Sequence, residues 1–225
     1  MSEGYFVTGT DTGVGKTLVS CALLHAFAAR GKSVIGMKPV AAGCEPTLRG
    51  LTCEDVVKLM AASNLSAPHE LVNPYAFQSP VAPHIAAAEA GVAIEIEPLL
   101  AACTALRALA DVVVVEGVGG WRVPLNPRED TGDLAKRLGL PVILVVGMRL
   151  GCLSHALLTA QAIEATGLKL AGWVANRIDP LMPAFDDNLG ALQTRLAAPL
   201  LGVVPHAAGP SAAASAGYLC LDRLI

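Results

Sequence analysis

Charge is scarce in this sequence. Only 16% of its 225 residues are Asp, Glu, Lys or Arg, against the roughly 25% usual for soluble proteins, while 53% are hydrophobic. Much of the surface is therefore expected to be buried, part of it between subunits. No run of Lys or Arg occurs and the net charge is −3, which argues against a broad nucleic-acid surface. An anionic ligand would have to be met locally. Long apolar runs are absent too. The longest candidate, Leu140 to Met148, falls well short of the roughly 18 residues of a membrane span and reads as a buried strand. The opening Met1-Ser2-Glu3-Gly4 leads straight into a strand, so no signal-peptide pattern is visible and a cytoplasmic location is expected. Cys21, Cys44, Cys53, Cys103, Cys152 and Cys220 form no C-x-x-C, so free thiols are expected. His25, His69, His84, His155 and His206 have no metal-ligand spacing, which argues against zinc.

What is present is a phosphate-binding signature near the start. Tyr5-Phe6-Val7 reads as a strand, Gly9-Thr10-Asp11-Thr12-Gly13-Val14-Gly15-Lys16-Thr17 as a Gly-rich turn, and a helix opens with its last residues. Backbone N–H groups and a helix N-terminus face into such a turn, Lys16 reaches β- and γ-phosphates, and Thr17 offers a hydroxyl to Mg²⁺. The strict G-x-x-x-x-G-K-[ST] spacing would place Gly where Thr10 stands; the glycine comes one residue early, at Gly9.

Strand and helix patterns alternate along the rest of the chain. Helices are expected over Leu18–Arg30, closed by Gly31, from Thr52 as N-cap with Glu54 and Asp55 in the first turn, and over Pro83–Ala90, Glu97–Leu109, Thr131–Leu138, Ser154–Thr166 and Ala184–Leu196. Strands are expected over Ser33–Met37, Asp111–Glu116, Pro141–Gly147, Leu170–Ala175 and Leu201–Val204. Asp111–Glu116, an unbroken valine run, reads as a central strand buried on both faces. Ala41 to Leu51, residues 64 to 84, and the Ala/Ser/Gly/Pro-rich Ala207 to Gly217 read as loops, the last one mobile or ordered by ligand. The alternation points to one domain over residues 1–225, a doubly wound, mostly parallel sheet in a three-layer α/β/α arrangement of P-loop type.

Ligands of such sheets lie beyond the carboxyl ends of the strands, and there polar and glycine residues gather. Glu116, followed by Gly117, Val118, Gly119 and Gly120, sits where an acidic group would meet Mg²⁺, or is a solvated strand end. Asp55 is a second candidate ligand, or a charge favouring its helix dipole. Lys38 is either a solvated strand end or a second cation for a transferring phosphoryl group or a carbonyl oxyanion. Gly151-Cys152-Leu153-Ser154 opens a helix, with Cys152 or Ser154 near its N-cap, where a carboxylate would find free N–H groups. Asn176 offers a donor and an acceptor suited to an adenine edge, or is a turn residue.

At this point the chain resembles the dethiobiotin synthetase family, nearly end to end. The residues that carry the resemblance are Gly9 to Thr17, Lys-Pro-Val-Ala-Ala-Gly at 38–43, Asn-Pro-Tyr at 73–75, Pro-His at 83–84, Glu-Gly-Val-Gly-Gly-Trp at 116–121, Pro-Val-Ile-Leu-Val-Val-Gly at 141–147, Leu150 to Thr159, and Gly-Trp-Val-Ala-Asn at 172–176. The off-pattern Thr10 belongs to the family's Gly-Thr-Asp-Thr loop. The resemblance implies closure of a cyclic urea from 7,8-diaminopelargonate, CO₂ and MgATP, through a carbamate and a carbamic–phosphoric anhydride. It implies Mg²⁺ on Thr17, Asp55 and Glu116, and Lys38 on the carbamate with Thr12 and Lys16 beside it. It implies nucleotide along Gly13 to Leu18, Asp55, Glu116 to Gly119, Asn176, Arg177, and Pro205, His206 and Ala207. Substrate would meet Thr12, Lys38, Ala42 and, from a second subunit, Gly151 to Ser154, which makes a homodimer with shared sites.

The sequence departs from the family in three places. Ala42 stands where a serine is expected, Ser154 and Asn188 stand where some members carry Asn and Tyr, and residues 189 to 221 contain no acidic side chain for a late nucleotide contact. Two rivals share the fold. A partitioning-type regulatory ATPase would carry a signature lysine where Asp11 stands, together with basic or amphipathic surface. An amidotransferase-linked cobyrinate synthase relative would need a glutaminase domain, for which 225 residues leave no room. A plain binding module would leave Lys38 and Glu116 unexplained.

Overall fold

The structure is a computed structural model that describes residues 2–47, 50–209 and 211–224. Ten strands are present among these residues: β1 Glu3–Gly9, β2 Val34–Met37, β3 Val40–Ala42, β4 Glu45–Thr47, β5 Gly50–Thr52, β6 Tyr75–Phe77, β7 Val112–Glu116, β8 Val142–Gly147, β9 Leu170–Asn176 and β10 Leu200–Val204. The helices are α1 Lys16–Ala28, α2 Glu54–Ala62, α3 His69–Val72, α4 Pro83–Glu89, α5 Ile96–Leu109, α6 Thr131–Leu138, α7 Cys152–Glu164, α8 Phe185–Arg195 and α9 Ala212–Ser215.

Six strands form one parallel sheet in the order β10-β9-β8-β1-β7-β2. The two faces follow from the period-2 alternation of a strand. Val112 and Val114 face a core built with α1 and α2, while Val113 and Val115 face a core built with α5, α6, α7 and α8. All four valines are fully buried, which is why no polar residue interrupts the run. Phe6 and Val7 divide between the two cores in the same way.

Strand order places the site. From β1 the chain crosses to β2 on one side, and β8 pairs on the other, so the reversal of winding falls at β1. The loop that leaves β1 is Thr10 to Gly15, and a crevice at the carboxyl ends opens there.

Four local expectations differ from the structure. Within Ala41 to Leu51, read as loop, β3 pairs with β6 and β4 pairs with β5; Leu48 and Arg49 lie outside the described residues. The N-cap of α2 is Cys53, with no side-chain cap, because Thr52 is taken into β5 opposite Glu45. Ala207 to Gly217, read as loop, contains α9 and a following 3-10 turn, with Pro210 outside the described residues. Its alanines have the highest helix propensity, and Ser211 caps the turn by accepting from the Ala214 N–H. Residues 64 to 84 likewise contain α3 and β6.

Candidate active site

A cavity of about 800 Å³ opens at the crevice. Its floor is the β1–α1 loop, with Thr12, Gly13, Gly15, Lys16 and Thr17 on the lining. Gly15 has φ +87, and a Cβ there would lie 2.1 Å from Asn176 Nδ2. Glycine is thus required twice over, by the left-handed backbone and by the close approach. Asn176 Nδ2 donates to the Val14 carbonyl at 2.8 Å, which pins the loop to the end of β9.

The far wall carries the charged groups. Lys38 follows β2 directly; its Nζ donates to Glu116 Oε1 at 2.6 Å and to Asp55 Oδ2 at 2.9 Å. Thr17 Oγ1 donates to the same Glu116 oxygen at 2.9 Å. Both Lys38 and Glu116 are buried. Burial alone would push the Lys38 ammonium down, but Glu116 and Asp55 overcome that and hold its pKa above the usual lysine range. Burial likewise pushes the Asp55 carboxyl up, and Lys38 more than offsets it, leaving it below the usual range. Lys16 lacks so close a carboxylate. Burial and the neighbouring Lys38 charge bring its pKa down to about 8, and its Nζ donates to the Asp11 carbonyl at 3.0 Å.

These donors suit a hard divalent cation. Thr17, Asp55 and Glu116 bring only oxygen atoms to the wall, and Glu116 Oε2 is buried with no hydrogen-bond partner among the described residues. A buried carboxylate oxygen with no donor is free to ligate a cation.

The sequence candidates divide into groups. Ala42, Val118 and Gly119 line the cavity together with the loop, Lys38, Asp55 and Glu116. Gly117 lies behind the wall, its carbonyl 3.5 Å from Lys38 Nζ. Val14 and Leu18 point away into the core on the α1 side. Asn176 and Arg177 lie off the cavity lining. The Asn176 amide N–H₂ already serves Val14, and Arg177 stacks over Phe185 at 4.8 Å. Pro205, His206 and Ala207 are exposed beyond β10. The α7 opening, Gly151 to Ser154, is also outside the cavity, and its N-cap is Gly151 at φ +93 with no side-chain cap, so neither Cys152 nor Ser154 caps it. Its neighbour Arg149 reaches the loop, however, donating to Asp11 Oδ2 at 2.6 Å.

Other contributors escaped the residue-by-residue reading. Asn73, buried, donates from Nδ2 to the Lys38 carbonyl at 2.7 Å, and the Lys38 N–H donates to Val72 at 2.8 Å, so the lysine backbone is held on both sides. The Asn-Pro-Tyr triplet was the available signal. Pro80, Val81, Ala82, Pro83 and Val123 form an apolar side of the cavity with no counterpart among the polar motifs.

A family model described as an AAA domain matches residues 3–213. The ATP-dependent dethiobiotin synthetase BioD of Aromatoleum aromaticum is 60% identical over 219 residues, covering 97% of each chain. That of Xanthomonas oryzae pv. oryzae is 53% identical over 97% of this chain and 98% of its own. The chain belongs to the ATP-dependent dethiobiotin synthetases. Among solved structures, the septum site-determining protein MinD of Pyrococcus horikoshii, complexed with Mg-ADP, shares 17% identity over 91% of this chain and 82% of that one, at a TM-score of 0.54. That likeness extends to the fold alone, so the regulatory ATPases share the architecture of this dethiobiotin synthetase family member and nothing more specific.

Proposed function

We propose that this chain closes the ureido ring of dethiobiotin from 7,8-diaminopelargonate, CO₂ and ATP, with ADP and phosphate as the other products, and that its single domain over residues 1–225 does so in the cavity described above. One observation carries the assignment of the chemistry to these residues: Lys16, Lys38 and the oxygens of Thr17, Asp55 and Glu116 line one cavity together with the apolar Pro80, Val81, Ala82, Pro83 and Val123.

One amine of the substrate adds to CO₂ and loses a proton, giving a carbamate. A carbamate oxygen takes the γ-phosphoryl group, and the bond to ADP breaks. The second amine then attacks the carbamoyl carbon, phosphate leaves, and the ring closes with loss of a proton. Lys16 holds the β- and γ-phosphates, and the loop N–H groups fix their orientation. Lys38 supplies positive charge to the carbamate and to the oxygens that gain charge in transfer. Thr12 lies on the acceptor side of the loop. Mg²⁺, held by Thr17, Asp55 and Glu116, offsets phosphate charge when bound. Pro80 to Pro83 and Val123 pack against the methylene chain, keeping both amines near one carbon and removing much of the entropy of closure. Adenine lies towards Asn176, Arg177 and Pro205 to Ala207.

The working unit is a homodimer. Leu150, just before the α7 opening, and Leu181, between β9 and α8, are 92% and 85% exposed, and such side chains favour burial against a second copy. The substrate carboxylate then meets the N–H groups of Gly151 to Ser154 of the partner subunit. The location is the cytoplasm, in keeping with a biosynthetic step that consumes ATP; among the described residues no helix is long and apolar enough to cross a membrane.

The direct test is substrate dependence. Phosphate release from MgATP is expected only when both diamine and bicarbonate are present. Comparable release without the diamine, or stimulation by DNA in its place, would overturn the assignment. Sedimentation of the purified protein as a monomer at micromolar concentration would overturn the shared site.

A further inference from the structure

Cys44 and Cys53 bracket the β4–β5 hairpin. The antiparallel register pairs Glu45 with Thr52, Pro46 with Leu51 and Thr47 with Gly50, so Cys44 and Cys53 are the next opposed positions. Cys53 keeps extended backbone angles, φ −111 and ψ 159, which continue the strand. Opposed residues of an antiparallel pair have Cα atoms about 4.5–5.5 Å apart, inside the roughly 4.4–6.8 Å that a disulfide bridges. Both side chains enter one small apolar cluster with Ala41, Val56 and Val72. Both are free thiols. The Cys44 thiol is pushed up to about 11, by burial and then by Cys53 beside it.

Their positions relative to the cavity differ. Cys53 is on the lining, whereas Cys44 sits behind it, its backbone N–H donating to the Phe77 carbonyl at 2.9 Å. Cys53 is also the N-cap of α2, two residues before Asp55, whose carboxylate holds Lys38. No step of the reaction uses either sulfur.

We propose that Cys44 and Cys53 form a reversible dithiol–disulfide site in the wall of the catalytic cavity, oxidised by a low-molecular-weight disulfide. Cys53, reached from the cavity, attacks one sulfur of the oxidant; the oxidant's S–S bond breaks and one small thiol leaves with a proton. Cys44 then attacks Cys53 in the mixed disulfide, the second small thiol leaves, and the Cys44–Cys53 bond forms. Two electrons and two protons pass from the protein to the oxidant. The Cα separation already fits the bridge, so the bond acts through the sulfurs: it turns the Cys53 side chain from the cavity lining towards β4 and ties the N-cap of α2 to that strand, shifting Asp55, two residues on, against Lys38. Oxidation therefore lowers turnover and reduction restores it.

The test uses the full-length protein with oxidised glutathione as oxidant, followed by tryptic mapping without reductant. Trypsin cuts after Lys32, Arg49 and Lys58 and spares Lys38-Pro39, so the two cysteines fall on separate peptides, Ser33–Arg49 and Gly50–Lys58. The expected result is these two peptides joined, lighter by two hydrogen atoms than their sum. Turnover is expected to fall at least about tenfold, as an ångström-scale displacement of a site group does, and to recover with dithiothreitol. Cys44→Ala keeps basal turnover, loses the cross-link and holds glutathione on Cys53. A map with glutathione on Cys220 alone, or with no joined peptides, overturns the proposal, as does a joined pair with unchanged turnover. The map needs no substrate, so its outcome stands apart from the assignment of the reaction.

Discussion

Lys38 Nζ lies 2.6 Å from Glu116 Oε1, a buried ion pair between residues 78 positions apart in sequence. Asp55 completes it at 2.9 Å. The lysine assigned to the carbamate thus rests on the two carboxylates assigned to Mg²⁺. Its ammonium balances their charge, and a Mg²⁺ ion held by Asp55 and Glu116 would share that task.

Lys38→Gln removes that charge without removing the phosphate-binding loop. Turnover is expected to drop by roughly 10²–10³-fold, as it does on loss of one donor to a developing oxyanion, while nucleotide affinity changes little. Steady-state kinetics alongside calorimetric nucleotide titration separates the two. Retained turnover would make Lys38 a charge-balancing residue only. The variant also leaves Glu116 and Asp55 without their cation, so its melting temperature should respond to Mg²⁺ more than the parent's does.

Glu116→Gln keeps the shape and removes the charge. The Mg²⁺ concentration for half-maximal activity should rise by at least the roughly 10–100-fold seen on losing even a supporting partner of a metal ligand. A Mg²⁺ titration of initial rate measures it, and an unchanged midpoint would remove Glu116 from the ligand set.

Lys16 gives a signed pH dependence. Its pKa of about 8 lies below the ordinary 10.5, so between these values the unfolded chain binds more protons than the folded one. Stability from this group therefore rises with pH across that window and is lost as pH falls through about 8. The full span is on the order of 3 kcal/mol. Lys16→Met should be more stable than the parent at neutral pH, and denaturant titrations should show the gap closing towards pH 10. Nucleotide binding runs the other way: it needs the charged lysine, and should weaken above about pH 8.

Gly15→Ala places a Cβ 2.1 Å from Asn176 Nδ2 on backbone at φ +87. A cost of at least about 1–2 kcal/mol is expected from the backbone alone, with loss of nucleotide binding. Adding Asn176→Ala clears the clash but not the strain, so the double variant should recover part of the stability and none of the binding. Simple additivity of the two losses would show that the residues do not meet.

The six-stranded sheet was legible because its strands are buried on both faces, and burial of that kind leaves unbroken apolar runs such as Val112 to Val115. The phosphate loop was legible because Gly13, Gly15 and Lys16 are dictated by local geometry. The short strands were not. Val40 to Ala42 becomes a strand only by pairing with Tyr75 to Phe77, more than thirty residues on, and nothing local specifies such a partner. Alanine-rich Ala212 to Ser215 was mistaken for loop on composition, against its own helix propensity. At the site, each of Lys38, Asp55 and Glu116 could be placed at the end of a strand or the start of a helix. Their direct contact, and the hold of Asn73 on Lys38, depend on packing between distant segments.

In the proposed reaction the phosphoryl group passes to a carbamate oxygen before the ring closes. Bicarbonate labelled with ¹⁸O tests it most directly, with the released phosphate read by mass or by the ³¹P isotope shift. Transfer to the carbamate predicts one labelled oxygen in each phosphate, left there when the second amine expels it. Unlabelled phosphate released at the same rate as ring closure would contradict the account.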